Sequence, residues 1–244
     1  MSKETETLQQ WIDESNYIVF FGGAGVSTES NIPDFRSVDG LYNQKYKYPP
    51  ETIISHTFYM HYPEEFFRFY KDKMLYPDAK PNAAHLKLAE LEKAGKVKAV
   101  VTQNIDGLHQ LAGSEKVYEL HGSVLRNYCE HCGASYDLDY IIKSEGVPMC
   151  EKCGHRVKPD VVLYEESLND RVIREAVHHI SKADMLIIGG TSLTVYPAAG
   201  FIDYYHGSKM VLINRDATAM DYKANLVIHE KIGEVFSGIK VDEA

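Results

Sequence analysis

The chain is poor in the features that would place it outside a reducing, aqueous compartment. No apolar run approaches the roughly 20 residues of a membrane span. The opening Met1-Ser2-Lys3-Glu4-Thr5-Glu6-Thr7 has no basic start followed by an apolar core, so no secretory signal is expected. Cysteine is scarce, and all four (Cys129, Cys132, Cys150 and Cys153) fall in one stretch rather than being scattered as a disulfide framework. That clustering points to a cytoplasmic setting. An excess of positive charge is missing too. With 26 Lys and Arg against 35 Asp and Glu, the net charge is -9, which argues against a nucleic-acid binder. There are no repeats, no low-complexity tract and no linker. The 244 residues, 44% of them hydrophobic, allow one α/β domain of generous size or one carrying a small insertion.

The chain is organised around Gly22-Gly23-Ala24-Gly25-Val26-Ser27-Thr28, preceded by the apolar run Tyr17-Ile18-Val19-Phe20-Phe21. That run reads as a buried strand. The expected context is strand, glycine-rich turn, helix, in which Gly23 and Gly25 let the backbone approach a ligand and the helix start offers N–H groups to a pyrophosphate. The match to the dinucleotide fingerprint is imperfect. Thr28 stands where Gly or Ala closes the pattern, and no acidic residue follows about 20 positions on. A plain strand-to-helix turn is the alternative. Pro33-Asp34-Phe35-Arg36 then supplies a stiff turn, an aromatic face and a fixed cation, suited to a loop over an anionic cofactor.

Helices are expected over residues 5–15, in short pieces over 51–75 broken at Pro63, from an Asn82 cap to about Lys93, and from Arg171 to Ser181. A loop is expected over 33–50. Strands are expected at 97–101, 117–120, 185–188, 210–213 and 226–228, with a helix near Pro197 and a last one over 232–236. Thr102-Gln103-Asn104-Ile105-Asp106, His121, Gly190-Thr191-Ser192 and Asn214 all follow strand ends, where open α/β sheets bind ligands. Between 124 and 158 the α/β rhythm breaks. Cys129-x-x-Cys132 and Cys150-x-x-Cys153, 17 residues apart, fit one tetrahedral structural zinc. A redox pair, or a site using His131 or His155, is the alternative, but four cysteines suffice.

Taken together, these blocks resemble the sirtuin family, the NAD-dependent protein deacylases, from about Tyr17 to Ile232, and look like a compact bacterial member. The resemblance implies a Rossmann-like parallel-sheet lobe (about 1–38, 78–123 and 159–244) and a smaller inserted lobe of zinc ribbon and helices (about 39–77 and 124–158). It implies NAD as co-substrate and an acetyl-lysine peptide as partner, meeting in the cleft between the lobes. By the same resemblance His121 is the general base, Asp106 and the Ile105 backbone bind the nicotinamide carboxamide, and Phe35 covers the ribose face. Gln103 holds ribose hydroxyls, and Asn104 orders the ribose or a water. Ala24, Thr28, Arg36, Thr191, Ser192, Asn214 and Ile232 contact the rest of NAD. The peptide adds as a strand between Val161-Val162 and the turn after Gly190. Mono-ADP-ribosyl transfer and a non-catalytic NAD-sensing module are the other readings. Two stretches depart from the family pattern: Leu163-Tyr164-Glu165-Glu166 stands where a Phe-Gly-Glu is usual, and Asn31 replaces a usual Gly. Family members that remove succinyl groups use a Tyr-x-x-Arg pair, and the matching positions here are Phe67 and Tyr70.

Overall fold

A computed structural model describes residues 2–35, 40 and 46–241. Residues 18–22 and 185–189 are buried throughout, as the unbroken apolar runs demand of strands covered on both faces. They form β1 (Ile18–Gly22) and β7 (Met185–Gly189), the two central strands of a six-stranded parallel sheet. The others are β2 (Val97–Thr102), β3 (Val117–Glu119), β8 (Met210–Ile213) and β9 (Leu226–Ile228), in the order β3-β2-β1-β7-β8-β9. Side chains alternate across the sheet. Ile18, Phe20, Met185 and Ile187 face a layer made by α1 (Lys3–Glu14), α5 (Ala83–Lys93) and α9 (Ile232–Ser237). Val19, Phe21, Leu186 and Ile188 face α8 (Asp170–Lys182) and the 3₁₀ segment Ala198–Tyr204. The strand order reverses between β1 and β7, so their carboxyl ends open a crevice at the switch point.

A second, antiparallel sheet has the order β5-β4-β6, from β4 (Gly122–Cys129), β5 (Ser135–Tyr136) and β6 (Val157–Val161). It shares one core with α2 (Pro50–Ile53), α3 (His56–His61), α4 (Pro63–Lys73) and α7 (Leu138–Lys143). Phe58, Tyr59, Phe66, Phe67 and Tyr70 meet Val124, Ile141 and Val157 there. The aromatic helical stretch and the cysteine-bearing insertion are therefore held by the same apolar contacts. Between β3 and β4, Leu120 donates its N–H to the Thr102 carbonyl and Val162 donates to the His121 carbonyl. His121 stands at the joint of the two sheets.

Most expected elements lie within two residues of where the periodicity puts them, including the Asn82 cap, whose side chain accepts from Ala84 N. Two points differ. The glycine-rich turn opens not into an α-helix but into two 3₁₀ turns, Ala24–Val26 and Thr28–Ser30. Thr28 Oγ1 donates to the Gly25 carbonyl, and Asn31 adopts φ 63°, which stops the coil after one turn. Second, the segment after Pro197 is also 3₁₀. Gly23 and Gly25 also serve packing between strand ends. A Cβ on Gly25 would lie 2.7 Å from Gly190 Cα, and one on Gly23 2.7 Å from Thr191 Cβ. Gly25 N–H donates to the Gly190 carbonyl at 2.8 Å.

Both departures from the family pattern acquire a physical reading. Asn31 has φ 63° and Glu165 has φ 75°, the left-handed region that glycine enters freely. Asn tolerates it. Glu165 is held there by its carboxylate, which accepts from Thr57 N at 2.8 Å and Thr57 Oγ1 at 2.7 Å.

Gly190 combines φ 60° with a position where a Cβ would strike Val26 N. Gly190→Ala is expected to cost at least about 2 kcal/mol in denaturant unfolding. Wild-type stability in that variant would show that the two turns are not in obligatory contact.

Candidate active site

The carboxyl ends of β1, β2, β7 and β8, together with His121 and the 161–168 stretch, line one cavity of about 1040 Å³. It extends across to Ile54, Tyr70, Lys73 and Met74 of the helical segment. Its walls carry Ala24, Thr28, Phe35, Gln103, Asn104, Ile105, Asp106, His121, Val161, Val162, Thr191, Ser192, Asn214 and Ile232. Every cavity residue expected from the sequence is there except Arg36, which lies outside the described residues.

The polar groups are wired to one another by backbone and side chain. Gln103 N–H donates to the Gly22 carbonyl, which joins the ends of β1 and β2. Gln103 Nε2 reaches Thr191 Oγ1 at 3.1 Å. Asn104 is anchored through its own N–H to Thr102 Oγ1, and its Nδ2 donates to Ser27 Oγ at 3.1 Å. Ser27 in turn donates to Asp106 Oδ2 at 2.6 Å, while Leu108 N–H donates to Asp106 Oδ1 at 2.9 Å. Burial pushes the Asp106 carboxyl above its ordinary range, and the two donors pull the other way. Ser27 is the residue that links Asn104 to Asp106. It stands inside the glycine-rich block that carries the resemblance, but the block alone assigns it no part in the site.

Asn214 plays a larger part in the framework than its strand-end position implies. Its Oδ1 accepts from Thr191 N at 3.0 Å and its Nδ2 donates to Thr191 O at 2.9 Å. This closed pair fixes Thr191, and through it Gln103. The Ile105 carbonyl accepts from Val124 N, which ties the loop after β2 to β4. At the far side Glu29 accepts from Gly233 N at 2.6 Å, holding the second 3₁₀ turn against the start of α9.

His121 Nδ1 lies 3.0 Å from the Gln103 carbonyl. A carbonyl only accepts, so Nδ1 carries the proton and the neutral ring keeps its lone pair on Nε2. Burial lowers the imidazole pKa, and the Gln103 carbonyl opposes that shift only in part. The ring is therefore a neutral acceptor of fixed orientation over a wider pH range than a free histidine.

The four cysteine sulfurs stand apart from this cavity. They lie within 4.8 Å of one another, with Cys129 Sγ–Cys153 Sγ at 3.4 Å and Cys132 Sγ–Cys150 Sγ at 3.6 Å. Thiolates on a tetrahedral zinc at 2.3 Å stand about 3.8 Å apart, so the set fits that ion closely. His131 N and Cys132 N point at Cys129 Sγ, and the Tyr136 hydroxyl donates to Cys150 Sγ at 3.1 Å. The Tyr136 hydrogen bond pulls the Cys150 thiol down to about 6. Four thiolates leave no open position, so the site is structural.

A doubly wound parallel sheet with a cavity at its switch point and a four-cysteine insertion defines a Rossmann-like protein with a zinc-ribbon lobe. Within that class the chain belongs to the Sir2 family, whose model matches residues 23–197. It is 62% identical to an NAD-dependent protein deacetylase of Clostridium acetobutylicum over 95% of this chain and 96% of that one. It is 61% identical to an NAD-dependent protein deacetylase of Clostridium perfringens over 98% and 99%. Among solved structures, a Sir2 complex with p53 peptide and NAD+ superposes with a TM-score of 0.85 at 41% identity, covering 97% of this chain and 96% of that one.

Purified, unchelated protein is expected to carry one zinc per chain by elemental analysis, and prolonged chelation is expected to lower its thermal midpoint. A chain that is fully folded and metal-free would contradict the structural assignment of the four cysteines.

Proposed function

We propose that this protein is an NAD-dependent protein lysine deacetylase, transferring the acetyl group of acetyl-lysine to ADP-ribose with release of nicotinamide. The observation that carries this reading is the His121 imidazole. It is half-buried, keeps its lone pair on Nε2 through the Gln103 carbonyl, and shares one cavity with Gln103, Asn104 and Asp106. A binding module has no need of a positioned base. Relatives at 61–62% identity over nearly the whole chain carry the same activity in their names.

The residues divide the work as follows. NAD is a co-substrate, and loss of its nicotinamide makes the ribose carbon the electrophile that the weakly nucleophilic acyl amide requires. Asp106 and the Ile105 backbone hold the nicotinamide carboxamide, with Ser27 setting the Asp106 carboxylate. Phe35 lies over the ribose, and Ala24, Thr28, Arg36, Thr191, Ser192, Asn214 and Ile232 form the rest of the NAD site. Gln103 and Asn104 order the ribose hydroxyls and a water. The amide oxygen of the acyl-lysine bonds the ribose carbon as nicotinamide leaves. His121 accepts a proton from the neighbouring ribose hydroxyl, which bonds the acyl carbon. Water then completes the transfer as the lysine nitrogen departs as the free amine and the acyl ester stays on ADP-ribose. Val161 and Val162 flank the peptide, whose main chain adds as a strand. Cys129, Cys132, Cys150 and Cys153 hold zinc, which supplies rigidity and no chemistry. The large lobe comprises about 1–38, 78–123 and 159–244, the small one about 39–77 and 124–158. A cytoplasmic setting accords with four unpaired, clustered thiols, and no helix among the described residues is long and apolar enough to cross a membrane.

The helical wall bears on acyl choice. Tyr70 lines the cavity, 1% exposed, with a hydroxyl that has no hydrogen-bond partner among the described residues, and burial raises its pKa. Phe67 is fully buried against Tyr59 and Phe66. No guanidinium stands at either position to pair with a distal carboxylate. Lys73, one turn on, lies 3.0 Å from the Asp72 carboxylate.

His121→Ala is expected to lower deacetylation of an acetyl-lysine peptide at least about a hundredfold, with thermal midpoint and zinc content unchanged. Because burial lowers the imidazole pKa, the acidic limb of the wild-type rate profile should fall below about 6.5. Activity is present above that limb and lost as pH falls through it. Near-normal turnover in the variant, or an acidic limb well above 6.5, would refute His121 as the base. Acetyl- and propionyl-lysine peptides should both turn over, and succinyl-lysine far more slowly. Equal efficiency on succinyl-lysine would contradict the account of the helical wall.

A further inference from the structure

Two histidines stand in the cysteine turns without a part in the chemistry above. His131 lies between Cys129 and Cys132, and His155 lies two residues after Cys153. Both are exposed, and their rings stack with centroids 4.1 Å apart and planes 10° from parallel. With Cys153 they form a second group whose ligating atoms all lie within 4.8 Å of one another. Cys153 is only partly buried, Cys132 is exposed, and Cys129 and Cys150 are buried; of the four, Cys153 is the one grouped with the two histidines.

His155 is held by its own turn, as exposed His61 is by the Thr57 carbonyl, but among the described residues only His155 is so held beside a second histidine and a cysteine sulfur. The His155 Nδ1 lies 3.1 Å from the Cys153 carbonyl, which only accepts. Nδ1 therefore holds the proton, and Nε2 presents a lone pair. Metal-binding imidazoles are set in the same way, by donation of the other N–H to a backbone carbonyl. Charge favours a second cation as well. One dication held by four thiolates leaves a local charge of about -2, and a thiolate already bound to one ion retains lone pairs for another.

We propose that His131, His155 and the Cys153 thiolate form a second, exposed and exchangeable metal site, with Cys153 bridging to the ion held by the four cysteines. The proposal rests on the four-thiolate reading of the resident site. Two imidazoles and a sulfur select a borderline or soft ion such as Zn²⁺ rather than Mg²⁺ or Ca²⁺. A tetrahedral ion at ordinary bond lengths needs its nitrogen and sulfur ligands about 3.5 Å apart. Rotation of the exposed His131 side chain supplies that closure while His155 keeps its contact with the Cys153 carbonyl, and the fourth position is left to water.

The test is native mass spectrometry of the full, tag-free, zinc-loaded chain before and after addition of excess Zn²⁺, beside the His131→Ala/His155→Ala variant. The wild type is expected to show one zinc before and two after, and the variant one throughout. Equal uptake of a second zinc by both proteins would place the ion elsewhere and overturn the proposal. So would the absence of a second equivalent in the wild type. A variant purified without any zinc would mean that the histidines hold the resident ion. Metal-free wild type before addition would remove the four-thiolate reading itself, and the bridging site with it.

Discussion

The site depends on one close contact, between the turn that ends β1 and the turn that ends β7. Gly25 N–H meets the Gly190 carbonyl at 2.8 Å, and neither glycine has room for a side chain. At this distance the two central strands share one rim. Thr191 is thereby brought to Gln103, and Ser27 to Asn104 and Asp106. Neither side chain of these pairs would find its partner if the turns stood a methyl group further apart. The parallel sheet supplies the reversal of strand order. The glycines turn that reversal into a polar cluster of defined geometry.

The second sheet gives the cluster its other wall and its base. His121 belongs to neither sheet's interior. The chain leaves the parallel sheet at Leu120 and begins the antiparallel one at Gly122, so the imidazole sits at the hinge of the two. The Gln103 carbonyl fixes its tautomer, and the Gln103 side chain faces Thr191. One residue thus ties the histidine to the strand-end cluster. The four-cysteine turn holds the far end of β4 through Cys129, and the aromatic helices pack against the same strand through Val124. An ion held by the four cysteines would therefore bear on where His121 stands.

Much of this was legible in the sequence because it rests on periodicity and on strand ends. The apolar runs at 18–21 and 185–188 could only be covered strands, and the polar residues that follow them had to meet at the sheet's carboxyl edge. The paired Cys-x-x-Cys turns carry their own geometry. What was not legible depends on contacts between segments distant in the chain. Ser27 falls inside the glycine-rich block, but its role comes from Asn104 and Asp106, nearly 80 residues away, which that block does not show. Gly23 and Gly25 read as room for a ligand and do line the cavity, but their packing on Gly190 and Thr191 could not be read from the turn alone. The turn after β1 reads as a helix start, but Thr28 and Asn31 close it into 3₁₀ turns. Glu165 reads as a departure from pattern, and only the Thr57 contacts explain how a side chain is kept at φ 75°.

The most direct measurement is the mass of every product formed when the zinc-loaded protein is incubated with NAD and an acetyl-lysine peptide. The account predicts that nicotinamide, deacetylated peptide and O-acetyl-ADP-ribose appear in equal amounts, and that none appears without NAD. Nicotinamide release with a peptide that keeps its acetyl group and gains ADP-ribose would contradict it, and would assign the same cavity to ADP-ribosyl transfer.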